Sequence, residues 1–491
     1  MKNAIVVAVV FLSVTVLGWA AESKPAARPN VLFIAADDLR NDLGCYGNTL
    51  VKAPNLDRLA RRSLVFNRAY CQQAVCNPSR ASLLTGRRPD TLRVWDLPTH
   101  FRDTTPDVVT LPQYFQQQGY FARNIGKIFH NFRQAIHGDP ASWSVPAVMH
   151  FANHNDDKPV MDGPPPPNLA QDPKCERRDV PDEAYYDGRV AKLAVEALRE
   201  LKAKPQPFFL AVGFWKPHSP FNAPKRYWDL YQREAVPLAS NTNWPATTPR
   251  VAWHDGRELL GTPARVLTAE AMREIRHGYL ANISYLDAQV GRVLDELDRL
   301  EMAENTVIVF WSDHGYHLGE KSLWAKTSNF ELDARVPLMI AAPKSKSAGL
   351  KTEALAELLD LYPTLAELAG LPVPRGLEGT SLVPVLNNPA ASVKVGALTQ
   401  HPRPAYYDRE KSKTPESMGY SLRTERFRYV EWRDWKTGAT IARELYDHQS
   451  DPEEIRNLAD NLNHISDVQQ CAGLLQFFKP VVQPGWKPVL P

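Results

Sequence analysis

The sequence predicts an α/β fold: a large, mostly parallel central sheet sandwiched by helices, followed by a small C-terminal α+β subdomain. Three observations point there. Short apolar runs rich in β-forming residues alternate with segments of helical spacing, as in a parallel sheet covered on both faces. Two of these runs end in acidic residues, where open sheets of this kind bind ligands. After about residue 400 the pattern shifts to closely spaced strand-like segments.

In chain order, residues 30–36 (NVLFIAA) form a buried strand that delivers Asp37 and Asp38 at its end. Residues 55–63 have helical spacing. So do residues 182–202, with Tyr185, Val190, Leu193, Ala194 and Leu198 on the apolar side. A second strand is expected over 208–214, a long amphipathic helix over 269–300, and a third strand over 306–311 that runs into Ser312, Asp313, His314 and Gly315. Residues 337–341 give a fourth. Between them lie the Pro-rich run at 163–167 and an irregular stretch at 237–263; loops of such length carry function or surface decoration. Beyond 400, residues 420–423 and 427–432 read as antiparallel strands. Residues 444–447 follow, and Asp451, Pro452, Glu453 and Glu454 are expected to open a helix. No internal repeat is evident.

A chain of 491 residues suits one large domain with a smaller appendage. Net charge is +3, so the global basic field of a nucleic-acid binder is missing, and no nucleic-acid partner is expected. Proline, at 41 residues against 25 glycines, indicates ordered loops. Lys2 precedes an apolar run from Ala4 to Ala20, with small Gly18 and Ala20 placed as a cleavage site needs. Residues 1–20 therefore read as a secretory signal peptide rather than a stable membrane anchor. That leaves a catalytic domain over 28–400 and a C-terminal subdomain over 401–491. The product would be periplasmic or extracellular, or lysosomal in a eukaryote. Five cysteines, Cys45, Cys71, Cys76, Cys175 and Cys471, make an odd count, which points to one specially used thiol. Their pairing cannot be read from sequence.

The most informative segment runs from Cys76 through Pro78, Ser79 and Arg80 to Leu84, Thr85 and Gly86. Pro78 fits the first turn of a helix. Cys76 then lies at the helix N-terminus, which favours anions, and Arg80 lies one turn along the same face. A nucleophile beside a guanidinium suits an oxyanion substrate. Asp37, Asp38 and Asp313 add hard oxygen donors at two strand ends, a set that favours Ca²⁺, with Mg²⁺ the second candidate. Lys127, His130, His218 and Lys326 are each unremarkable alone.

Taken together, these strings resemble the sulfatase family. Its signature C-x-P-S-R followed by L-T-G matches Cys76–Gly86, and both acidic strand ends match in position and order. The resemblance implies an alkaline-phosphatase-like fold. It also implies conversion of Cys76 to formylglycine by a formylglycine-generating enzyme. The hydrated aldehyde of that residue attacks sulfur and then expels sulfate. The implied metal set is Asp37, Asp38, Cys76, Asp313 and His314. The implied catalytic set is Cys76, Arg80, Lys127, His130, His218 and Lys326. Lys127 and Lys326 would bind sulfate oxygens, His218 would protonate the leaving alcohol, and His130 would hold or deprotonate the nucleophile; the two histidine roles are interchangeable at this stage. His314 stands where many family members carry Asn, and this departure resembles the iduronate-2-sulfatase branch. Further strings, including Lys216-Pro217-His218 and the run from Trp324 to Phe330, resemble the same branch.

The expected activity is hydrolysis of sulfate esters on a sulfated carbohydrate, foremost an iduronate or uronate 2-O-sulfate. The alternatives are a sulfatase for an algal or mucin glycan, a phosphatase or phosphodiesterase of the wider superfamily, and a carbohydrate-binding pseudoenzyme. Asn77 and the loops at 133–180 and 235–265 are where substrate choice is expected to vary.

Overall fold

The structure, a computed structural model, describes residues 28–130, 136–150 and 175–477. The expected signal peptide and the Pro-rich run at 163–167 lie outside the described residues.

Seven strands form the central sheet: β1 Asn30–Asp37, β2 Leu64–Tyr70, β3 Phe121–Gly126, β4 Phe208–Pro217, β5 Thr306–Ser312, β6 Arg335–Ala341 and β7 Lys351–Glu357. Their spatial order is β7-β2-β6-β5-β1-β4-β3. The pairings β1 with β4, β1 with β5, β3 with β4, and β7 with β2 are parallel. Only β6 runs against its neighbours β2 and β5. The sheet is therefore mixed but mostly parallel, as its apolar runs predict.

Side chains on a strand alternate between the two faces, and β1 shows what that does here. Leu32, Ile34 and Ala36 enter a core shared with helices Tyr186–Lys202 and Ala269–Arg299. Val31, Phe33 and Ala35 enter the opposite core, shared with helices Cys76–Thr85, Leu111–Gln117 and Leu361–Leu368. Phe33 meets Phe209 and Trp311 at centroid distances of 5.7 and 5.3 Å, within the favourable range for aromatic pairs. With both faces covered, the polar residues of the central strands collect at the strand ends. At one such end backbones come very close: a Cβ at Gly213 would lie 1.9 Å from the Lys127 carbonyl oxygen. Only glycine allows that approach, and it fixes where Lys127 leaves β3.

A second, four-stranded antiparallel sheet follows: β8 Ala397–Arg403, β9 Ser417–Arg423, β10 Phe427–Asp434 and β11 Thr440–Asp447, in that order. Helix Ile465–Phe477 packs Cys471 and Leu475 against it. β8 straddles the expected boundary at 400/401. One expectation is corrected. Asp451 does not open a helix: its carboxylate accepts the Ile455 and Arg456 N–H groups at 3.0 and 2.8 Å, but Glu454 adopts φ 55°. A left-handed residue there stops propagation.

Glu454 is turned inward instead. Arg428, fully buried on β10, donates to Glu454 and to Glu331, the latter from the segment before β6. This buried ion triad ties the small sheet to the large one. Replacing Arg428 with Met should leave two acids without their shared cation and cost about 3–5 kcal/mol of stability. The shift in the urea unfolding midpoint would measure it.

Candidate functional site

Register alone brings the first acids together. β1 and β5 are parallel with Ala36 opposite Ser312, so Asp37 and Asp313 emerge side by side. Asp38 then turns back at φ 62°, its N–H donating to Asp313 Oδ1 at 3.2 Å. Two further bonds hold the turn: Leu39 N–H donates to Ser312 Oγ at 2.9 Å, and Tyr279 OH donates to the Asp38 carbonyl at 2.6 Å.

Cys76 begins helix Cys76–Thr85, as predicted, with every residue of that helix buried. Its Sγ lies 3.5 Å from Asp37 Oδ1, 3.4 Å from His314 Nε2 and 3.6 Å from Lys326 Nζ. Burial and Asp37 push the thiol well above its ordinary range, although Lys127 and Lys326 pull the other way. Arg80 is placed differently from the sequence expectation. It does not stand open beside the nucleophile. Its Nε donates to Asp313 Oδ2 at 2.8 Å, its Nη1 to the Lys127 and Ile128 carbonyls at 2.7 and 3.1 Å, and its Nη2 to the Ala36 carbonyl at 3.2 Å. Thus Arg80 builds the site rather than facing a ligand.

Lys127 Nζ pairs with Asp37, and Lys326 Nζ lies 2.8 Å from Asp38 Oδ1. Burial alone would raise Asp37, but Lys127 and Arg80 overcome it and hold the carboxyl well below its usual range. Asp38 goes the other way: burial raises it, Lys326 opposes, and Asp37, Glu258 and Asp313 reinforce the rise. His218 follows β4 and has Nε2 3.8 Å from Asp38 Oδ2. Its Nδ1 contacts the Ser219 carbonyl. Burial and Lys326 push its pKa well down, with Asp37 and Glu258 pulling up. His130 is buried near the same charges. Burial and Lys127 depress it strongly.

The residues also test whether a cation fits. His314 Nδ1 lies 2.9 Å from the Gly315 carbonyl, which can only accept, so the hydrogen is on Nδ1. Burial depresses the imidazole pKa, so Nε2 presents a lone pair. That lone pair points at Asp38 Oδ1 and Asp313 Oδ1, 3.3 and 3.6 Å away. Asp38 Oδ2 is buried and accepts no hydrogen bond among the described residues. Donor atoms of Asp37, Cys76, Asp313 and His314 lie within 4.8 Å of one another, as do those of Asp37, Asp38, Cys76 and His218. Facing oxygens and a nitrogen lone pair repel unless a positive charge lies between them. The donor set therefore fits a divalent ion.

Several expectations change. Asn77 is no substrate reader: its amide donates to the Asp96 and Thr99 carbonyls at 2.8 and 2.7 Å and shapes that loop. All five cysteines are free thiols, so the odd count carries no weight in singling out Cys76. Sequence reasoning missed Glu258 and Tyr406. Glu258 Oε1 lies 2.8 Å from Lys326 Nζ and 3.4 Å from His218 Nε2, and Tyr406 OH donates to Glu258 Oε2. Glu258 falls inside the irregular 237–263 stretch, where no periodicity marks it. Arg403 was missed too. It donates to the Val251, Ala252 and Thr327 carbonyls, clamping that stretch against the Lys326 segment.

In protein that retains the Cys76 thiol, iodoacetamide at pH 8 should leave it unlabelled in the native state and label it in urea. Peptide mass mapping checks this; native labelling at the unfolded rate would contradict the buried, protonated thiol.

A family model described as Sulfatase matches residues 29–371, and one described as N-sulphoglucosamine sulphohydrolase, C-terminal, matches 319–476. The chain is 37% identical to an iduronate 2-sulfatase of Mus musculus over 92% of its own length and 93% of that protein. It is 31% identical to a sulfatase of Formosa agariphila, covering 92% and 87% respectively. Among solved structures, a phosphonate monoester hydrolase from Silicibacter pomeroyi superposes with a TM-score of 0.75 at 24% identity, covering 93% of this chain and 96% of that one.

Proposed function

Because the chain belongs to the sulfatase family and is an enzyme of sulfate ester hydrolysis, we propose that it removes a 2-O-sulfate from iduronate or another uronate in a sulfated glycan. The observation that carries this reading is the setting of Cys76. An acid and a metal-type donor flank it on one side, an ammonium on the other, at the N-terminus of a buried helix. Similarity to an iduronate 2-sulfatase over nearly the whole chain supports the choice of sugar.

In this reading Cys76 is converted to formylglycine, which supplies a hydrated aldehyde as the oxygen nucleophile. Asp37, Asp38, Asp313 and His314 would hold a divalent ion, Ca²⁺ by the hardness of its oxygen donors, and that ion would supply positive charge beside the nucleophile. Lys127 and Lys326 neutralise the sulfate oxygens as charge grows on them. His218 gives a proton to the departing sugar oxygen through Nε2. His130 takes or holds the proton of the nucleophile. Arg80 keeps Asp313 and the end of β1 in place. The bond broken is S–O; water ends up divided between the freed alcohol and sulfate.

Residues 1–20 direct export in this proposal. Among the described residues, no helix is long and apolar enough to cross a membrane.

Three outcomes are expected. Protein made in a host able to modify sulfatases should carry formylglycine at position 76, seen as a mass change of the Cys76 peptide, and Cys76→Ala should fold normally yet lose all turnover. Ca²⁺ should raise the thermal midpoint of chelator-stripped protein, and Asp38→Ala should abolish that rise. On a panel of sulfated disaccharides, sulfate should be released from 2-O-sulfated uronates; release from 6-O-sulfated glucosamine alone would overturn the assignment of the sugar.

A further inference from the structure

Glu258 lies opposite the nucleophile and is bound to both groups that the proposed function puts at the leaving-group end. Its Oε1 is 2.8 Å from Lys326 Nζ and 3.4 Å from His218 Nε2. Its Oε2 accepts from Tyr406 OH. Three separate parts of the chain thus meet on one carboxylate: the end of β4, the segment after β5 and the loop following β8.

The carboxylate is held from behind. It belongs to the short helix Arg257–Leu260, anchored by buried Leu259 and Leu260. Gly256 enters that helix at φ 61°, where a Cβ would come within 3.0 Å of the Trp324 carbonyl oxygen. The His254 ring accepts the Gly256 N–H at 3.1 Å. On the far side Tyr406 is itself buried, with the Arg409 guanidinium 4.5 Å from its ring centre. A side chain fixed in this way can fix others.

His218 and Lys326 each have one alternative partner, and it is the same one. Lys326 Nζ lies 2.8 Å from Asp38 Oδ1, and His218 Nε2 lies 3.8 Å from Asp38 Oδ2. Glu258 is what draws both away from that acid. The Ser219 carbonyl receives His218 Nδ1, so the ring can pivot only about that contact, and Glu258 sets where Nε2 points.

We propose that Glu258, braced by Tyr406, is a positioning residue that aims His218 at the departing oxygen and holds Lys326 beside it. This rests on the leaving-group role given to His218 above. A sugar alcohol is a poor leaving group and needs that proton; a nitrophenolate does not. Mispositioning His218 should therefore hurt the first substrate more than the second.

The experiment compares the full-length, formylglycine-bearing enzyme with its Glu258→Gln, Glu258→Asp, Tyr406→Phe and His218→Ala variants. Each is assayed on a 2-O-sulfated uronate disaccharide and on 4-nitrophenyl sulfate, with formylglycine content equalised by peptide mass. Glu258→Gln should lower kcat on the disaccharide about 10- to 100-fold, with KM changed by less than about threefold. Its loss on the aryl sulfate should be about tenfold smaller. Glu258→Asp should recover part of the difference. Tyr406→Phe should show the same bias in weaker form, and it decides the matter if Glu258→Gln does not fold. Equal losses on the two substrates, or a change confined to KM, overturn the proposal. If His218→Ala also loses equally on both, the leaving-group role of His218 has failed and the proposal falls with it. If His218→Ala discriminates and the Glu258 and Tyr406 variants do not, only the positioning role is wrong.

Discussion

The guanidinium of Arg80 is completely buried, and the catalytic edge of the sheet is organised around it. It binds Asp313 at the end of β5, the Ala36 carbonyl near the end of β1, and the two carbonyls that follow β3. Three strand ends are thereby held in one arrangement. A planar, always charged fork with several donors can do this; a lysine cannot. The helix that carries Arg80 begins at Cys76, so the same contacts also set the place of the nucleophile. The sequence reading gave Arg80 the task of meeting an anion. Its bonds show a structural anchor, and the anion falls to the lysines.

Burying so many charges is tolerable only because they alternate. Asp313 is matched by Arg80, Asp37 by Lys127, and Asp38 by Lys326. Even so, Asp38 is held well above the ordinary carboxylate range by burial and by its acidic neighbours, while Asp37 is held below it. Two adjacent acids are thus driven apart in character. His314 adds a lone pair aimed at two of the carboxylate oxygens. The pocket is short of positive charge at one point and well supplied at another, which is what an anion substrate and a cation sharing one cleft require.

What could be read from the sequence was whatever is local. The strands at β1, β4 and β5 announced themselves by continuous apolar runs, and the acids at their ends by position. Helix 269–299 was legible from its period, and Cys76 from the Pro78 that fits a first turn. The reversed direction of β6 was not legible, because an apolar run looks alike in either sense. Nor was the turn at Asp451, where an acid followed by proline and two glutamates mimics a helix start until Arg428 claims Glu454. Glu258, Arg403 and Tyr406 were invisible for a third reason: they matter through contacts with residues distant in the chain, and nothing beside them in sequence marks that. Asn77 shows the opposite error, since its place next to Cys76 suggested a ligand contact and its amide instead ties down backbone.

The small antiparallel sheet has a consequence for how the enzyme comes into being. Arg403 and Tyr406, at its first strand and just beyond, close the far side of the cleft. During synthesis, Asp37 emerges near the beginning and must wait until these residues have left the ribosome before its surroundings are complete. A chain cut at residue 371, where the main family match ends, would keep every acid, lysine and histidine of the cleft and still lack the brace that aims them. The cleft is therefore a late product of folding, and a prematurely ended chain is a scaffold without a working centre.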